Sequence, residues 1–152
     1  MRLPFDSRLL LSGAVVWSLL VLAAPFLDIP IIYAAGAAVC HQRPERSFHL
    51  PAGQVAVCAR CLGLYLGGVA GFAAVAWRSR PVSELTATLA RRIALAAATP
   101  TLVTLAGEWV FGWPIGNATR FLAALPLGGA VAAIIGVAIA SEGRRAKASE
   151  VD

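Results

Sequence analysis

The chain has 152 residues, of which 59% are hydrophobic and 14% are charged. Soluble globular domains contain roughly 45–50% apolar and 25% charged residues, so this composition excludes a water-soluble fold. The net charge of +5 does not indicate a nucleic-acid partner, because the basic residues stand mainly at the ends of apolar blocks, where they set membrane topology. We therefore expect a membrane protein whose main partner is the lipid bilayer.

Four apolar blocks approach the roughly 20 residues that a helix needs to span a bilayer. We predict an all-α integral membrane bundle of four transmembrane helices, forming a single domain over residues 1–152. The predicted helices cover about residues 9–27, 57–77, 93–110 and 118–140. The first block also resembles a signal peptide, but its length and the proline in Ala23-Ala24-Pro25 predict an uncleaved membrane anchor.

The connections between these helices are predicted from their polarity and length. Residues 28–56 form a loop that begins with a short apolar run at 31–39, which is too short to span and is interpreted as a re-entrant or interfacial segment. Residues 83–89 are predicted to form an interfacial turn, and Asn117 is expected to cap the fourth helix. A polar tail is predicted over residues 141–152.

The second predicted helix carries small residues at spacings of three and four. This pattern predicts a face on which another transmembrane helix packs closely. The glycines concerned are Gly63, Gly67, Gly68 and Gly71.

The distribution of positive charge predicts the orientation of the chain. With the amino terminus inside, nine of the 13 arginine and lysine residues lie on the inner side and four on the outer side. The positive-inside rule then places both termini in the cytoplasm and the loop at 28–56 outside. We expect a multi-pass protein of the cell inner (plasma) membrane.

The segment from Cys40 to Cys61 contains all three cysteines and both histidines. Cys58 and Cys61 form a C-x-x-C motif in the first turns of the second predicted helix, and the pair Cys40 and His41 comes from the other end of the loop. Thiolate and imidazole ligands favour zinc or a similar ion, and four such ligands suit a tetrahedral site. We predict a zinc site made by Cys40, His41, Cys58 and Cys61. His49 competes as the fourth ligand, because neighbouring residues rarely both point at one metal.

The same cysteines admit two other interpretations. In an oxidising compartment the C-x-x-C forms a disulfide, and a position at a helix amino terminus next to Arg60 lowers the thiol pKa and makes the first cysteine reactive. Cys40 is then an odd thiol that can form a mixed disulfide with a partner. The simplest alternative is a structural clip that holds the loop on the bundle.

Three charged residues are predicted to reach the level of the cysteines from distant parts of the chain. Glu108 lies about 16 residues into the third helix, which at ~1.5 Å per residue brings it to the outer end. Arg60 and Arg120 begin the second and fourth helices on the same side. We expect an ion pair between Glu108 and one of these arginines. The alternative is a basic pocket of Arg46, Arg60 and Arg120 for a phosphate headgroup or another anion.

Three motifs resemble the membrane proteins grouped as domain of unknown function 2085. They are CHQRPERSF, VCARCLGLYLGG and GEWVFGWPIGNATRFLAALPLGG, within roughly Tyr33 to Gly129. The resemblance implies a short helical membrane protein, and its name assigns no activity. The residues that it places in the shared pattern are Cys40, His41, Gln42, Arg46, Ser47, Cys58, Arg60, Cys61, Gly63, Tyr65, Gly67, Glu108, Asn117, Arg120 and Gly128.

The sequence therefore favours a small membrane protein with an outward zinc site made by Cys40, His41, Cys58 and Cys61. Arg46, Arg60, Glu108 and Arg120 are predicted to support this site. One alternative is a thiol-disulfide oxidoreductase that uses the C-x-x-C and a quinone. Another is a non-catalytic subunit that binds lipid, a membrane-protein partner or a second copy of the chain. The sequence contains no hydrolase, kinase or cofactor fingerprint, so it does not decide whether the protein is an enzyme.

Overall fold

The computed structural model describes residues 5–77 and 86–149, with side chains from 9 to 77 and from 86 to 143. Its five helices are α1 (Phe5–Leu27), α2 (Pro30–Ala37), α3 (Ala59–Ala76), α4 (Ala87–Val110) and α5 (Asn117–Ser149). Two short strands, β1 (Ser47–Leu50) and β2 (Gly53–Cys58), follow a single 3-10 turn at Pro44–Arg46. The mostly helical architecture confirms the predicted fold class.

Four of the helices are long and apolar enough to cross a membrane. The candidate spans are Leu9–Leu27, Ala59–Ala76, Ala87–Val110 and Asn117–Gly143. The eight-residue α2 lies between the first two spans, where a short interfacial segment was expected. Asp28 separates α1 from α2 with a φ of 45°, and Pro30 at the start of α2 suits a first helical turn.

Helices α3 and α5 pack backbone to backbone. A Cβ at Gly67 would lie 2.2 Å from the carbonyl oxygen of Leu125, and a Cβ at Gly128 would lie 2.1 Å from that of Leu64. Gly63 and Gly71 are equally close to α5, which agrees with the expected packing face. Gly68 is different, because a Cβ there would meet no atom within 4 Å.

Several element boundaries differ from those expected. Helix α3 begins at Ala59, so Cys58 ends β2 and precedes the helix rather than lying in its first turn. Helix α4 begins at Ala87, six residues before the expected start, because the Thr86 hydroxyl accepts a hydrogen bond from the Leu89 amide at 3.3 Å.

Helix α5 also differs from its prediction at both ends. Asn117 is its first helical residue and not its cap, because the Arg120 amide donates to the Gly116 carbonyl. The helix continues to Ser149, where a polar tail was expected from residue 141. The predicted turn at 83–89 falls partly, and the last residues of the tail entirely, outside the described residues.

The main departure from the prediction is the β-hairpin formed by β1 and β2. The strands pair antiparallel, with Ser47 opposite Cys58 and Leu50 opposite Gly53. Gly53 has a φ of +142°, a conformation that glycine adopts readily, at the tight turn between the strands. Val55 and Val57 are buried, and they belong to a core shared with α1 and α2. The hairpin therefore forms a fixed layer over one end of the bundle.

Exposed aromatic side chains stand near both ends of the spans. Trp109, Phe111 and Trp113 lie at the hairpin end of α4, and Trp77 follows the opposite end of α3. Tryptophan is enriched where membrane meets water, so these positions agree with a membrane-embedded bundle.

Candidate metal centre

The fold brings the three cysteines together from three neighbouring elements. Cys40 follows α2, Cys58 ends β2, and Cys61 lies in the first turn of α3. Their Sγ atoms all lie within 4.8 Å of one another, and all three are free thiols. Cys40 is buried and the other two are partly buried. This arrangement places three soft ligands around one point.

The turn after Cys40 is held by Gln42. Its backbone adopts a φ of 48°, and its side-chain amide donates to the carbonyls of Tyr33 and Ala56, each at 2.7 Å. The Gln54 amide in turn donates to the Gln42 carbonyl at 2.6 Å. Gln42 therefore ties the segment that carries Cys40 to the strand that carries Cys58. The resemblance places Gln42 in the shared pattern, but the sequence alone does not indicate this role.

The environment of Cys58 favours its thiolate. The Cys61 thiol donates a hydrogen bond to the Cys58 sulfur, and the backbone amides of Cys61 and Arg60 also favour the thiolate. Although burial raises the pKa of Cys58, these hydrogen bonds outweigh it and lower the pKa to about 5. The Cys58 amide donates to Sγ of Cys40 at 3.1 Å. Hydrogen bonds to the charged form of a thiol stabilise that form, which is the form that binds metals.

The two histidines differ in their relation to the thiols. His41 is exposed and lines the cavity onto which the cysteines open. His49 is exposed on β1. Among the described residues, neither imidazole belongs to the group of ligand atoms that lie within 4.8 Å of one another.

Glu108 lies between two arginines, Arg60 and Arg120. Nε of Arg120 donates to its Oε1 at 2.5 Å, and Nη2 of Arg60 lies 3.5 Å from its Oε2. The Glu108 side chain is only 5% exposed, and those of Arg60 and Arg120 are 15% and 13% exposed. The expected ion pair thus forms with both arginines, and the three charges together leave one net positive charge.

Two polar residues outside the predicted site position these arginines. Thr104 on α4 accepts a hydrogen bond from Nη2 of Arg60 at 3.3 Å. The carbonyl oxygen of the Asn117 side chain accepts one from Nη1 of Arg120 at 2.8 Å, while its amide donates to the Ser47 carbonyl on β1. Asn117 thereby joins α5 to the hairpin, a contact between positions 70 residues apart.

The cysteines and arginines face a common cavity of about 490 Å³. Arg46, Arg60 and Arg120 are among the residues that line it. The described residues around it are Val39, Cys40, His41, Gln42, Arg43, Arg46, Cys58, Arg60, Cys61, Leu64, Trp109 and Arg120. The thiol cluster and several guanidinium groups therefore line the same cavity.

Comparison with known proteins gives a short match to one curated relative. A segment of 40 residues is 48% identical to an uncharacterized protein of Methanocaldococcus jannaschii, and it covers 26% of this chain and 26% of that protein. The match thus spans about a quarter of the relative's length. No solved structure matches the chain.

The family model described as predicted membrane protein, DUF2085, matches residues 40–134. This segment begins at the first cysteine of the cluster and includes the spans α3 and α4 and most of α5. It is more than half of the chain. The protein therefore belongs to the DUF2085 family of predicted membrane proteins.

Proposed function

We propose that the protein binds one zinc ion through Cys40, Cys58 and Cys61 at the hairpin end of the bundle. The observation that carries this proposal is the mutual approach of the three Sγ atoms to within 4.8 Å. In a tetrahedral site with Zn–S bonds of about 2.3 Å the sulfur atoms stand about 3.8 Å apart, so small side-chain rotations are enough to bind the ion. Three thiolates also suit zinc better than they suit magnesium or calcium.

His41 is our preferred fourth ligand. It follows Cys40 directly and lines the cavity onto which the thiols open, whereas His49 lies exposed on β1. With His41 bound, the site is a closed Cys₃His set of the kind that stabilises folds. With water in its place, zinc keeps an open position, which is the feature of catalytic sites.

The surrounding charges suit such a centre. Zinc with three thiolates and a neutral imidazole carries one net negative charge, and Arg46 and Arg60 line the same cavity. Opposite charges attract strongly where water is scarce. The arginines therefore support the proposed role of the cavity as the surroundings of a thiolate-bound metal.

Zinc and free thiols are measured together on protein purified in mild detergent. We expect one zinc per chain and no disulfide in the wild type. Cys58→Ser should lose the metal, and His41→Ala should bind it more weakly, whereas the matched control His49→Ala should keep it. Loss of zinc in His49→Ala and not in His41→Ala would reverse the assignment of the fourth ligand. A metal-free wild type with a reducible bond between Cys58 and Cys61 would contradict the proposal.

We further propose that this end of the bundle faces the outside of the cell membrane. The predicted positive-inside asymmetry supports this orientation. The course of the helices agrees with this asymmetry, because α1 and α4 run toward the hairpin while α3 and α5 run away from it. The start of α1, the end of α5, and Arg91 and Arg92 near the start of α4 therefore share the end of the bundle opposite the hairpin. A membrane-impermeant thiol reagent should label metal-stripped Cys58 in intact cells. Labelling only after the membrane is opened would show the reverse orientation.

A thiol-disulfide oxidoreductase is the second candidate, and the lowered pKa of Cys58 favours it. Oxidation of the Cys58 and Cys61 thiols to a disulfide releases two electrons and two protons, which a quinone would take up to become a quinol. Addition of a soluble quinone to the reduced, metal-free protein would then consume two thiols per chain. Retention of all three thiols would exclude this activity.

A further inference from the structure

A second cavity, distinct from the thiol cavity, lies between α1, α3 and α5. This apolar groove has a volume of about 480 Å³. Its lining includes Trp17 on α1, Leu64, Gly68 and Phe72 on α3, and Val131 on α5. All of its lining residues belong to candidate membrane spans, so the groove lies at the level of lipid chains.

The groove continues the thiol cavity along one face of α3. Leu64 lines both spaces, with Cys61 above it in the cavity and Gly68 and Phe72 below it in the groove. Cys61, Gly68 and Phe72 share a helix face, since residues three, four, seven and eleven positions apart do so. Eleven residues at 1.5 Å each extend about 17 Å, which is about half of a 30 Å hydrocarbon core. The combined space therefore has the length of one membrane leaflet.

Gly68 keeps this groove open. A Cβ at Gly68 would meet no atom within 4 Å, whereas those at Gly63, Gly67 and Gly71 would collide with the backbone of α5. Helix packing thus explains the other three glycines and does not explain Gly68. Glycine is also a poor helix former, so Gly68 makes α3 less stable than a larger residue would. Its lack of a side chain leaves open space beside the helix.

The upper end of the combined space is basic, although Arg43 there pairs with Glu45 at 3.9 Å. Among the described residues that line the thiol cavity, four are arginines and none is acidic. Glu108 neutralises one of the two charges of Arg60 and Arg120, while Arg46 has no ion pair among the described side chains. Nε of Arg60 is buried and has no hydrogen-bond partner in the described part of the chain. Guanidinium groups match phosphate oxygens in both charge and geometry.

We propose that the thiol cavity and the apolar groove together bind one anionic, phosphate-bearing lipid. Its phosphate lies among Arg46, Arg60 and Arg120, and one of its chains runs past Leu64 and Gly68 toward Phe72. The charge of the cavity selects an anionic headgroup, and the open groove selects a chain. This site does not depend on the zinc ion, because its evidence comes from the arginines and the groove and not from the thiols.

The test compares lipids with identical chains by native mass spectrometry of the full-length protein released from detergent micelles. We expect one tightly bound dioleoyl phosphatidylglycerol per chain, held about tenfold or more tighter than zwitterionic dioleoyl phosphatidylcholine. Equal retention of the two lipids would indicate unselective lipid around the bundle and would overturn the proposal. Inorganic phosphate is tested separately. If it binds as tightly as phosphatidylglycerol, the site is one for a soluble anion and the lipid assignment is wrong.

Two pairs of variants separate the chain from the headgroup. Gly68→Leu should occupy part of the groove and weaken phosphatidylglycerol binding about tenfold, whereas Gly13→Leu should not, although a Cβ is free of contacts at both positions. Arg46→Gln should weaken binding about fivefold, and Arg92→Gln, which removes an exposed arginine outside the cavity, should not. Equal effects within either pair would refute the site.

Zinc content is measured on the same samples. Gly68→Leu should retain zinc, because Gly68 does not contact the thiols. A metal-free protein that still selects phosphatidylglycerol would refute the metal centre and leave the lipid site standing. A protein that binds zinc but does not prefer phosphatidylglycerol would refute the lipid site and leave the metal centre standing.

Discussion

Replacement of Glu108 by glutamine should destabilise the bundle strongly. The substitution keeps the size of the side chain but removes the negative charge that Arg60 and Arg120 share at 3.5 and 2.5 Å. With Glu108 at 5% exposure, water cannot replace this charge. Removing one member of a buried ion pair costs about 3–5 kcal/mol, because the remaining charge is left without a partner. We expect a loss of this size in the free energy of unfolding.

The chain provides a matched control in Glu45→Gln. Glu45 pairs with Arg43 at 3.9 Å, but these side chains are 64% and 60% exposed, and such surface pairs contribute about 0–1 kcal/mol. Both variants are unfolded by sodium dodecyl sulfate in mixed micelles, and loss of tertiary structure is followed by near-ultraviolet circular dichroism. If Glu108→Gln loses no more stability than Glu45→Gln, the buried cluster does not hold α3, α4 and α5 together.

Three further predictions concern packing, the cysteine turn and thiol reactivity. Gly67→Ala should lose about 1–3 kcal/mol in the same unfolding assay, because its Cβ would lie 2.2 Å from the Leu125 carbonyl oxygen. Gly68→Ala is its control, and equal losses would contradict the packing described. Gln42→Ala should lose about 2 kcal/mol from two hydrogen bonds and should also bind zinc more weakly, so unchanged stability and zinc affinity would refute its positioning role. In metal-free protein, alkylation of Cys58 by iodoacetamide should be half-maximal near pH 5 and rise above it, because the lowered pKa leaves the thiolate present down to that pH. A midpoint near 8.5, as in unfolded chains, would contradict this.

The sequence predicted the parts of the structure that depend on composition and local spacing. Long apolar blocks predicted the four-helix membrane bundle, and the C-x-x-C motif with Cys40 predicted a thiol cluster. The position of Glu108 was predicted from the rise of an α-helix, which depends only on counting residues. Its sharing between two arginines was not predictable, since this depends on how α3, α4 and α5 rotate against one another.

The hairpin was not predicted because its signals are short. Strand β1 has four residues, and the apolar end of β2 runs directly into α3, so the helix was predicted to begin at about Val57, which lies in the strand. For this reason Cys58 was predicted to lie in the first turn of a helix, whereas it ends a strand. The left-handed backbone conformation of Gln42 could not be predicted either, because glutamine has no preference for that conformation.

Glycine spacing alone does not predict which glycines of α3 contact another helix. Gly67 and Gly68 are adjacent and both fit a small-residue pattern, yet Gly67 contacts α5 and Gly68 faces an open groove. Only the relative placement of the helices separates these two roles. A substitution series at Gly68 is therefore informative about ligands, and one at Gly67 about folding.

X-ray absorption at the zinc edge of the purified protein identifies the atoms that bind the metal. The three-thiolate centre predicts a shell of three sulfur atoms at about 2.3 Å, with one nitrogen or oxygen at about 2.0–2.1 Å. Cys40→Ser should lose the zinc signal, as Cys58→Ser should lose the metal. A zinc ion surrounded only by nitrogen and oxygen, or protein that takes up no zinc while its three thiols are free, would contradict the account.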